Sequence, residues 1–495
     1  MKNTLIKITG IALSLALALS AAGCRENKRK IPGWEEGKQN VVFYVWGSPE
    51  EDALLQSVID DFEAENEEIN VIISKSANDY YDDLEYMIAG TNTPDIVQMK
   101  PGYIQPFLRN NALESLQPYI EASTAVTEEM IWDTNDAYRY DTETKTIGTG
   151  DYYSLIKDFS PDYILTYDKN DVDANRNALM KLDYPKQEGT AYPSETEPMT
   201  WSQFKAFAET LQTANRMGTH LDNEPFQQLL QWIQQSGESL YSEDHKTVKD
   251  IKNTEGIRKA FDYYRELRDE CTDNTPVAKN SSVQVGGGQL KEDQTSSLFI
   301  GRWAAVSFGW DSVSTLNVGY APTPVPDGMT AGETDKYCGV TAMVGLSISA
   351  KSTVKDAAWK FIEYYYTEGL KGLAEEGYNI PGNKTIAQDY FCGEAEDSSI
   401  SEEMKKVNDL FYDYALNNSF TIEFNKYMSQ VVVEQVLGTN FSQYFASSKG
   451  KPFDLSLWEQ TLDSIQRSLQ GKLDDAVKLY LSLIHISEPT RHSLI

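Results

Sequence analysis

The side chains best suited to metal binding and acid–base catalysis are scarce in this sequence of 495 residues. The four histidines are His220, His245, His485 and His492. Because they are few and far apart, they cannot form a histidine-rich metal site, and they disfavour a histidine-dependent catalytic triad. The glycine triplet at 286–288 lacks the spacing and the following lysine of a phosphate-binding loop. We therefore expect no catalytic residue, no metal and no cofactor.

The cysteines beyond Cys24 are odd in number. They are Cys271, Cys338 and Cys392. An odd number excludes a complete disulfide framework. We expect buried free thiols, and a single bridge is the alternative.

Carboxylates, by contrast, are abundant. The chain has 75 Asp and Glu residues against 44 Lys and Arg, a formal net charge of −31. Such a chain repels phosphate backbones, so we expect no nucleic-acid partner and interpret the charge as a means of solubility. The 29 Tyr, 18 Phe and 9 Trp residues exclude a disordered coil. The length is sufficient for more than one domain.

The first 24 residues resemble a bacterial lipoprotein signal peptide. Lys2 and Lys7 give a positive start, and a mostly apolar run at 8–22 is short for a membrane span. Small residues at 21–23 then precede Cys24. We expect Cys24 to be lipidated and to begin the mature chain, with 25–39 as a polar tether. An ordinary secretory signal with an incidental cysteine is the alternative.

The other end of the sequence also stands apart. Residues 481–491 read LSLIHISEPTR, which resembles a translated sequencing adapter. We expect the native chain to end near Tyr480 and 481–495 to be an artefactual tail.

Hydrophobic periodicity predicts alternating strands and helices at the start of the domain. Apolar runs at 41–46, 69–73 and 96–99 predict strands, and helical spacing follows the first two. This order implies parallel strands joined by crossover helices, an α/β architecture. Further strands are expected at 163–167, 296–300, 318–322 and 343–348. Further helices are expected at 201–211, 227–235, 254–268 and 354–366, and 402 onward has a mostly helical pattern. The loop expected at 275–289 contains the glycine triplet.

Several segments, in order, resemble the bacterial extracellular solute-binding proteins of family 1, the sugar-binding proteins of ABC importers that include maltose-binding proteins. The best match is GLSISAKSTVKDAAWKFIEYY at 345–365. Weaker matches are VVFYVWGS, TNTPDIVQM, YILTYDKN, MTWSQFKAFAETL and FIGRWAAVSF. Together the matches cover roughly residues 40–480.

This resemblance implies a fold and a division of the chain. The fold is a two-lobe periplasmic-binding-protein-like α/β fold with discontinuous lobes and a hinge. We expect 40–152 plus 296–349 in the first lobe, and 153–295 plus 350–480 in the second. Ligands of such folds lie outside the carboxyl ends of the strands.

Sugars present C–H-rich faces and many hydroxyls, so a site for them needs aromatic platforms and polar hydrogen-bonding groups. Aromatic residues at strand ends are the main candidates. We predict the following ligand contacts: Trp46, Ser48, Tyr80, Tyr81, Lys100, Tyr103, Glu224, Phe226, Trp232, Trp303, Trp310 and Tyr378. Core packing is the alternative for Trp46 and Trp232, and a surface loop is the alternative for the Glu224–Phe226 segment. Weaker candidates are Asp162, Tyr163, Tyr337, Gly339 and Asn379.

The resemblance implies a membrane-tethered receptor on the extracytoplasmic face of the cell. It would capture a carbohydrate, with an oligosaccharide as the expected class, in an interlobe cleft and deliver it to the permease subunits of an ABC importer. We expect a monomer. The alternatives are a secreted carbohydrate-active enzyme, for which Glu224 and Asp162 are a conceivable carboxylate pair, and a ligand-sensing subunit of a signalling system.

Overall fold

The structure is a computed structural model that describes residues 31–47, 49–76, 80–90, 92–221, 226–272, 290, 294–304, 317–329, 337–340 and 342–487. Its strands are β1 (Gln39–Val45), β2 (Ile69–Lys75), β3 (Ile96–Met99), β4 (Arg139–Asp141), β5 (Thr146–Ile147), β6 (Asp151–Tyr152), β7 (Leu155–Phe159), β8 (Pro161–Asp162), β9 (Ile164–Asp168), β10 (Ser297–Ile300), β11 (Val318–Ala321), β12 (Cys338–Val340), β13 (Val344–Ile348), β14 (Ile380–Pro381) and β15 (Ser419–Thr421).

The α-helices are α1 (Pro49–Glu65), α2 (Tyr80–Ala89), α3 (Gln105–Arg109), α4 (Gln117–Ala122), α5 (Lys169–Ala174), α6 (Arg176–Leu179), α7 (Trp201–Leu211), α8 (Phe226–Gln235), α9 (Glu255–Leu267), α10 (Lys355–Tyr364), α11 (Leu370–Glu375), α12 (Lys384–Ile386), α13 (Glu402–Asn417), α14 (Gln430–Ser448) and α15 (Leu455–Ser487). Short 3₁₀ turns lie at Glu128–Met130 and Asp133–Tyr138, and π turns at Arg268–Thr272, Tyr365–Gly369 and Ala387–Phe391.

The largest sheet has six strands in the order β14-β7-β13-β3-β1-β2. β1 pairs parallel with β2 and with β3, which confirms the predicted strand–helix–strand arrangement. β13, β7 and β14 extend the sheet with antiparallel pairings. All but the first residue of β1 are buried, as expected for a parallel strand covered on both faces. The sequence pattern had not indicated β7 or β14.

The described residues form two main hydrophobic cores, the cores of two lobes. The first draws on 41–159 and 340–392, and the second on 165–321 and 422–473. This differs from the division expected from the resemblance. β10, expected in the first lobe, pairs with β9 of the second, and α10, expected in the second lobe, packs in the first core. Periodicity identified these elements but carried no information about which sheet each would join.

A small sheet, β15-β12-β8, lies where the chain passes between the cores. β12 pairs antiparallel with β8 and parallel with β15. Each of the three strands lies in a different segment that runs from one lobe to the other. Three connections therefore join the lobes. Arg302 is buried beside this sheet, where its backbone N–H donates to Ser160 Oγ and its guanidinium to Asn408 Oδ1. Burial lowers the pKa of Arg302 to about 10.

The structure confirms some of the other sequence predictions and corrects another. Thr200 caps α7 through a capping box with Gln203, as the predicted helix start requires. Cys271, Cys338 and Cys392 are buried free thiols, as expected. The expected loop at 275–289 lies outside the described residues. β15 interrupts a region expected to be mostly helical. Within the described part of the chain, no helix combines the length and apolar character that crossing a membrane requires.

Candidate functional site

Trp46 follows the carboxyl end of β1 and is the centre of an aromatic cluster. Its backbone N–H donates to Gln98 Oε1 at 3.1 Å, which holds the residue beside β3. The indole is half-buried and meets Tyr80 edge to face, with ring centroids 4.6 Å apart. The Lys100 ammonium lies 5.5 Å from the indole centroid, a cation–π contact. The structure therefore brings together three residues that the sequence predicted as ligand contacts.

Tyr80 and Tyr81 begin α2 and form the wall behind Trp46. Both are 8% exposed. The Tyr80 hydroxyl lies 3.0 Å from the Gln98 carbonyl and accepts from the Gln98 N–H at 2.9 Å, so it joins α2 to the edge of β3. Burial raises the pKa of Tyr80 well above its ordinary value. The Tyr81 hydroxyl accepts from the Lys100 N–H at 2.9 Å. These hydroxyls thus position β3 and Lys100.

Tyr103 completes the cluster at the side that faces the second lobe. Its ring stacks on Tyr81 with centroids 3.9 Å apart. Its hydroxyl donates to Glu434 Oε2 at 2.7 Å. Glu434 belongs to α14, which packs in the second core, so this bond joins the two lobes. Glu434 could not be identified from the sequence, because nothing in its local pattern indicates a contact with Tyr103.

Charged groups lie on the other side of Trp46. The Tyr378 hydroxyl donates to Glu51 on the first turn of α1. Lys157 and Asp158, both buried, form an ion pair, and the Lys157 ammonium lies 5.3 Å from the Tyr378 ring centroid. Asn379 donates to Asp158 at 2.9 Å, which fixes the turn that carries Tyr378.

The ionisation of this charged group follows from its burial and pairing. Burial is the largest single effect and acts to lower the pKa of Lys157, but Asp158, Tyr365 and Glu51 together outweigh it and raise that pKa above its ordinary value. Burial raises the pKa of Tyr378 well above 10. The site therefore holds the Lys157 ammonium and the Tyr378 phenol in fixed positions beside the side chains of Asp158 and Glu51.

A small pocket, open to solvent, lies between these two groups. Its wall includes Phe43, Trp46, Glu51, Gln98, Lys157 and Tyr378. An indole edge beside hydrogen-bonding carboxylate, amide and hydroxyl groups is suited to a polyhydroxylated ligand. Of these wall residues, the sequence predicted only Trp46 and Tyr378. The others lie in elements whose relative positions are set by tertiary packing.

Two candidates in the second lobe require correction. Trp232 is 0% exposed and packs against Trp201, Tyr263 and Phe299, and Phe226 is 1% exposed in the same core. Neither ring can stack on a ligand. Both lie on the inward face of α8, where the amphipathic spacing that marks a helix also determines burial.

The remaining candidates are placed as follows. Trp303 is half-buried against a small cluster that includes Leu298 and Ile300. Tyr163 is half-buried, and its hydroxyl lies 3.5 Å from Gln227 Oε1. Buried positions are occupied by Asp162, Tyr337, Gly339 and Asn379. Ser48, Glu224 and Trp310 lie outside the described residues. Within the described ranges, no group of three or more His, Cys, Asp or Glu side chains could hold a metal ion.

Comparison with known sequences gives one family. The model of the bacterial extracellular solute-binding proteins matches residues 46–371. No curated protein sequence matches the chain.

Many solved structures are similar in fold. An ABC substrate-binding protein from Listeria monocytogenes in complex with cycloalternan is 18% identical, with a TM-score of 0.67 over 90% of this chain and 99% of that one. The maltose/maltodextrin-binding domain from Bdellovibrio bacteriovorus bound to maltotriose is 17% identical, with a TM-score of 0.61 over 89% and 100%. UgpB from Mycobacterium tuberculosis in complex with glycerophosphocholine is 15% identical, with a TM-score of 0.65 over 89% and 100%.

Proposed function

Because this chain belongs to the bacterial extracellular solute-binding proteins, we propose that it captures a carbohydrate between its lobes and delivers it to an ABC importer. The observation that carries the proposal is the cluster of Trp46, Tyr80, Tyr81 and Tyr103 beside the cavity that Glu51, Gln98 and Tyr378 line. An aromatic platform next to carboxylate and amide groups matches the alternating apolar faces and hydroxyls of a sugar.

The structural relatives support an oligosaccharide as the solute. The Listeria protein holds cycloalternan and the Bdellovibrio domain holds maltotriose, while UgpB holds glycerophosphocholine, a phosphodiester. Because Asp158 already pairs with the Lys157 ammonium at this candidate site and Glu51 adds a further carboxylate, the pocket favours a neutral glycan over an anionic phosphodiester group.

Capture works through closure of the two lobes about the three-stranded hinge sheet. A solute that contacts both lobes binds the closed arrangement better, and this difference in affinity shifts the equilibrium toward closure. Trp46 and Tyr378 supply the first-lobe wall, and Trp303 is the proposed second-lobe contact. The chain carries out no chemistry itself, and the importer's own ATP hydrolysis drives transport.

The proposed location is the outer face of the cell membrane, where a lipid on Cys24 and the tether at 25–39 hold a monomeric receptor. A Cys24→Ala chain should be released from membranes. A Cys24→Ala chain that still sediments with membranes would refute the anchor. Co-purification with permease subunits in the presence of the solute would support the importer as partner.

Thermal unfolding with a panel of solutes tests the function directly. The panel contains maltotriose, cycloalternan, glucose and glycerophosphocholine, with intrinsic Trp fluorescence as the signal. At 100 times its dissociation constant, a true ligand adds about 2.7 kcal/mol of stability, which raises the midpoint by several degrees. A shift with glycans alone supports the proposal, and a shift with glycerophosphocholine alone replaces the carbohydrate with a phosphodiester.

Two further measurements separate the proposal from its alternatives. Recovery of the stabilising glycan intact after prolonged incubation excludes hydrolysis, whereas shorter products would indicate a carbohydrate-active enzyme. Deletion of the protein should abolish uptake of that glycan. Normal uptake with a lost transcriptional response would indicate a sensor subunit.

The role of Trp303 is tested by substitution. Trp303→Ala should weaken glycan binding about tenfold or more, since stacking on one ring contributes on the order of 1 kcal/mol beyond the buried area. Unchanged affinity in a calorimetric titration would remove Trp303 from the site.

A further inference from the structure

Outside the hinge sheet, the lobes meet at a second place, here called the interlobe clasp. The first-lobe side is the segment from Gly102 to Arg109, which packs in the first core through Ile104, Phe107 and Leu108. The second-lobe side is the segment from Asn425 to Glu434, together with Tyr480 on α15. The clasp is built from protein groups alone, so its contacts require no solute.

Arg109 is the centre of the clasp. Its guanidinium donates to the Tyr427 carbonyl at 3.1 Å and also to the Lys426 carbonyl. It lies 4.9 Å from the Tyr480 ring centroid, and Tyr427 and Tyr480 pack edge to face. Burial lowers the pKa of Arg109 below its ordinary value, although the group stays charged at any physiological pH. One first-lobe cation is thus enclosed by carbonyls and rings of the second lobe.

Two neighbouring hydrogen bonds also join the lobes. Gln105 Nε2 donates to the Asn425 carbonyl at 2.8 Å. The Gln430 N–H, at the start of α14, donates to the Gly102 carbonyl at 3.1 Å. A first-lobe carbonyl therefore satisfies one of the N–H groups that a helix leaves open at its N-terminus.

Gly102 also sets how closely the lobes approach. A Cβ atom at this position would lie 2.2 Å from Gln430 Oε1 and 3.1 Å from both Gln430 Cβ and Phe424 Cε1. Gln430 Oε1 is the end of a flexible side chain and can rotate away, but the two contacts at 3.1 Å require Gln430 and Phe424 to give way by a few tenths of an ångström. A branched side chain such as valine, which is larger than a single Cβ, should therefore displace the second-lobe segment. By contrast, a Cβ atom on Gly372, in α11 of the first lobe, would meet nothing within 4 Å.

The clasp adjoins the candidate site. Tyr103 bonds to Glu434 on one side and stacks on Tyr81 on the other, and Tyr81 lies 6.0 Å from Trp46. Bonds that cross between the lobes beside the site are lost when the lobes swing apart. We propose that the interlobe clasp holds the lobes toward their closed arrangement and thereby sets solute affinity through residues, Gly102 and Arg109, that do not contact the solute. The effect on affinity rests on the proposed function, whereas the effect on lobe separation does not.

Small-angle scattering of the solute-free chain tests the proposal without any ligand. Arg109→Met keeps a long apolar side chain under Tyr480 but removes the hydrogen bonds, and Gly102→Val acts as a wedge. Both variants should have a larger radius of gyration than the wild type, while Gly372→Ala should not differ from it. A radius unchanged in both folded variants would overturn the proposal.

Titration with maltotriose gives the second readout. A weakened clasp lowers the fraction of closed molecules, so apparent affinity should fall about five- to tenfold in both variants. Tighter binding would mean that the clasp favours the open arrangement, and would overturn the proposal. If maltotriose does not bind the wild type, the proposed function is at fault for this sugar, and scattering still decides the role of the clasp.

Hydrogen exchange on the wild-type chain needs no variant, so it tests the role of the clasp even if both variants fail to fold. The Gln430 amide is bonded across the lobes, so its exchange reports separation of the clasp. Its exchange should be slow in the free chain and slower with maltotriose. Exchange at the rate of an exposed amide in the free chain would overturn the proposal.

Discussion

The rings of Tyr81 and Tyr103 lie face to face, with centroids 3.9 Å apart and planes 9° from parallel. Tyr81 belongs to α2, which connects β2 to β3, and Tyr103 belongs to the loop after β3, so the connections before and after β3 meet at this pair. Tyr80 stands edge-on to Tyr81, and Trp46 edge-on to Tyr80. The result is a continuous aromatic wall at the carboxyl ends of β1 and β3, the edge where ligands of parallel sheets bind.

Removal of the Trp46 ring should weaken glycan binding far more than it changes folding. Trp46→Ala deletes the half-buried indole beside the cavity, and we expect the dissociation constant to rise about tenfold or more. Tyr86→Ala is the control, because Tyr86 is on α2 of the same lobe but is 82% exposed. Calorimetric titration with the stabilising glycan measures both. Equal affinity of Trp46→Ala and the wild type would exclude the ring from the site.

Local signals predicted most of the framework. Runs of β-branched and aromatic residues located β1, β2 and β3, and helical spacing located α7 and α9 within one residue at each end. These elements have a strong period and well-defined ends, such as the capping residue Thr200. The short strand β14 has too few residues to show a period, and its pairing with β7 supplies the order that its sequence does not.

The candidate site was predicted only in part, for a physical reason. Trp46 and Tyr378 were identified by residue type and position after a strand or in a turn. Lys157 was not, because a charged residue within a strand gives no sign that Asp158 pairs with it next to Tyr378. Trp232 was placed wrongly because a large aromatic residue looks the same in sequence whether it faces a core or a cleft.

Gly382 should be among the least replaceable glycines described. A Cβ atom there would lie 1.6 Å from the Ile156 carbonyl oxygen and 2.4 Å from its carbon, both backbone atoms that cannot rotate away. The Gly382 N–H also donates to the Lys157 carbonyl at 3.0 Å. We expect Gly382→Ala to cost about 3 kcal/mol or more in free energy of unfolding, measured by urea denaturation.

Gly372→Ala is the matched control for that substitution. Its Cβ would enter open space within helix α11, so we expect between no change and a gain of about 1 kcal/mol. A Gly382→Ala chain as stable as the Gly372→Ala chain would show that β14 and β7 separate at no cost.

Asp95 should make stability depend on pH in the direction opposite to most carboxylates. It accepts hydrogen bonds from the Val42 N–H at 2.9 Å and from Ser352 Oγ at 2.6 Å, but burial dominates and raises its pKa. The stability that its protonation contributes is fully present below the unfolded pKa of about 3.9 and is lost as pH rises through the raised folded pKa. The free energy of unfolding of Asp95→Asn should therefore rise relative to that of the wild type between pH 4 and pH 7.

Asp141→Asn should change stability with pH in the opposite direction to Asp95→Asn. The N–H groups of Thr144 and Glu143 donate to the Asp141 carboxylate and lower its pKa. Its contribution is present above about pH 3.9 and is lost as pH falls through the lowered value. The variant should therefore lose stability relative to the wild type as pH rises. Urea titrations of Asp95→Asn at pH 4 and pH 7, and of Asp141→Asn at about pH 2.5 and about pH 5, measure the two slopes. Equal signs would contradict the assignment of Asp95.

The three thiols should be unreactive in the native chain. Burial raises the pKa of Cys271 and of Cys392 to about 12 each, and raises that of Cys338 further, so almost no thiolate is present at pH 8. We expect an aromatic disulfide reagent to modify none of the three at pH 8 in buffer, and all three in 6 M guanidinium as a positive control. Any reaction in buffer should be slow and should accelerate with added denaturant, because it requires unfolding. Peptide mapping identifies the sites and separates them from Cys24. Rapid modification of Cys271 in buffer would mean that the core of the second lobe opens readily, since that thiol is 0% exposed within it.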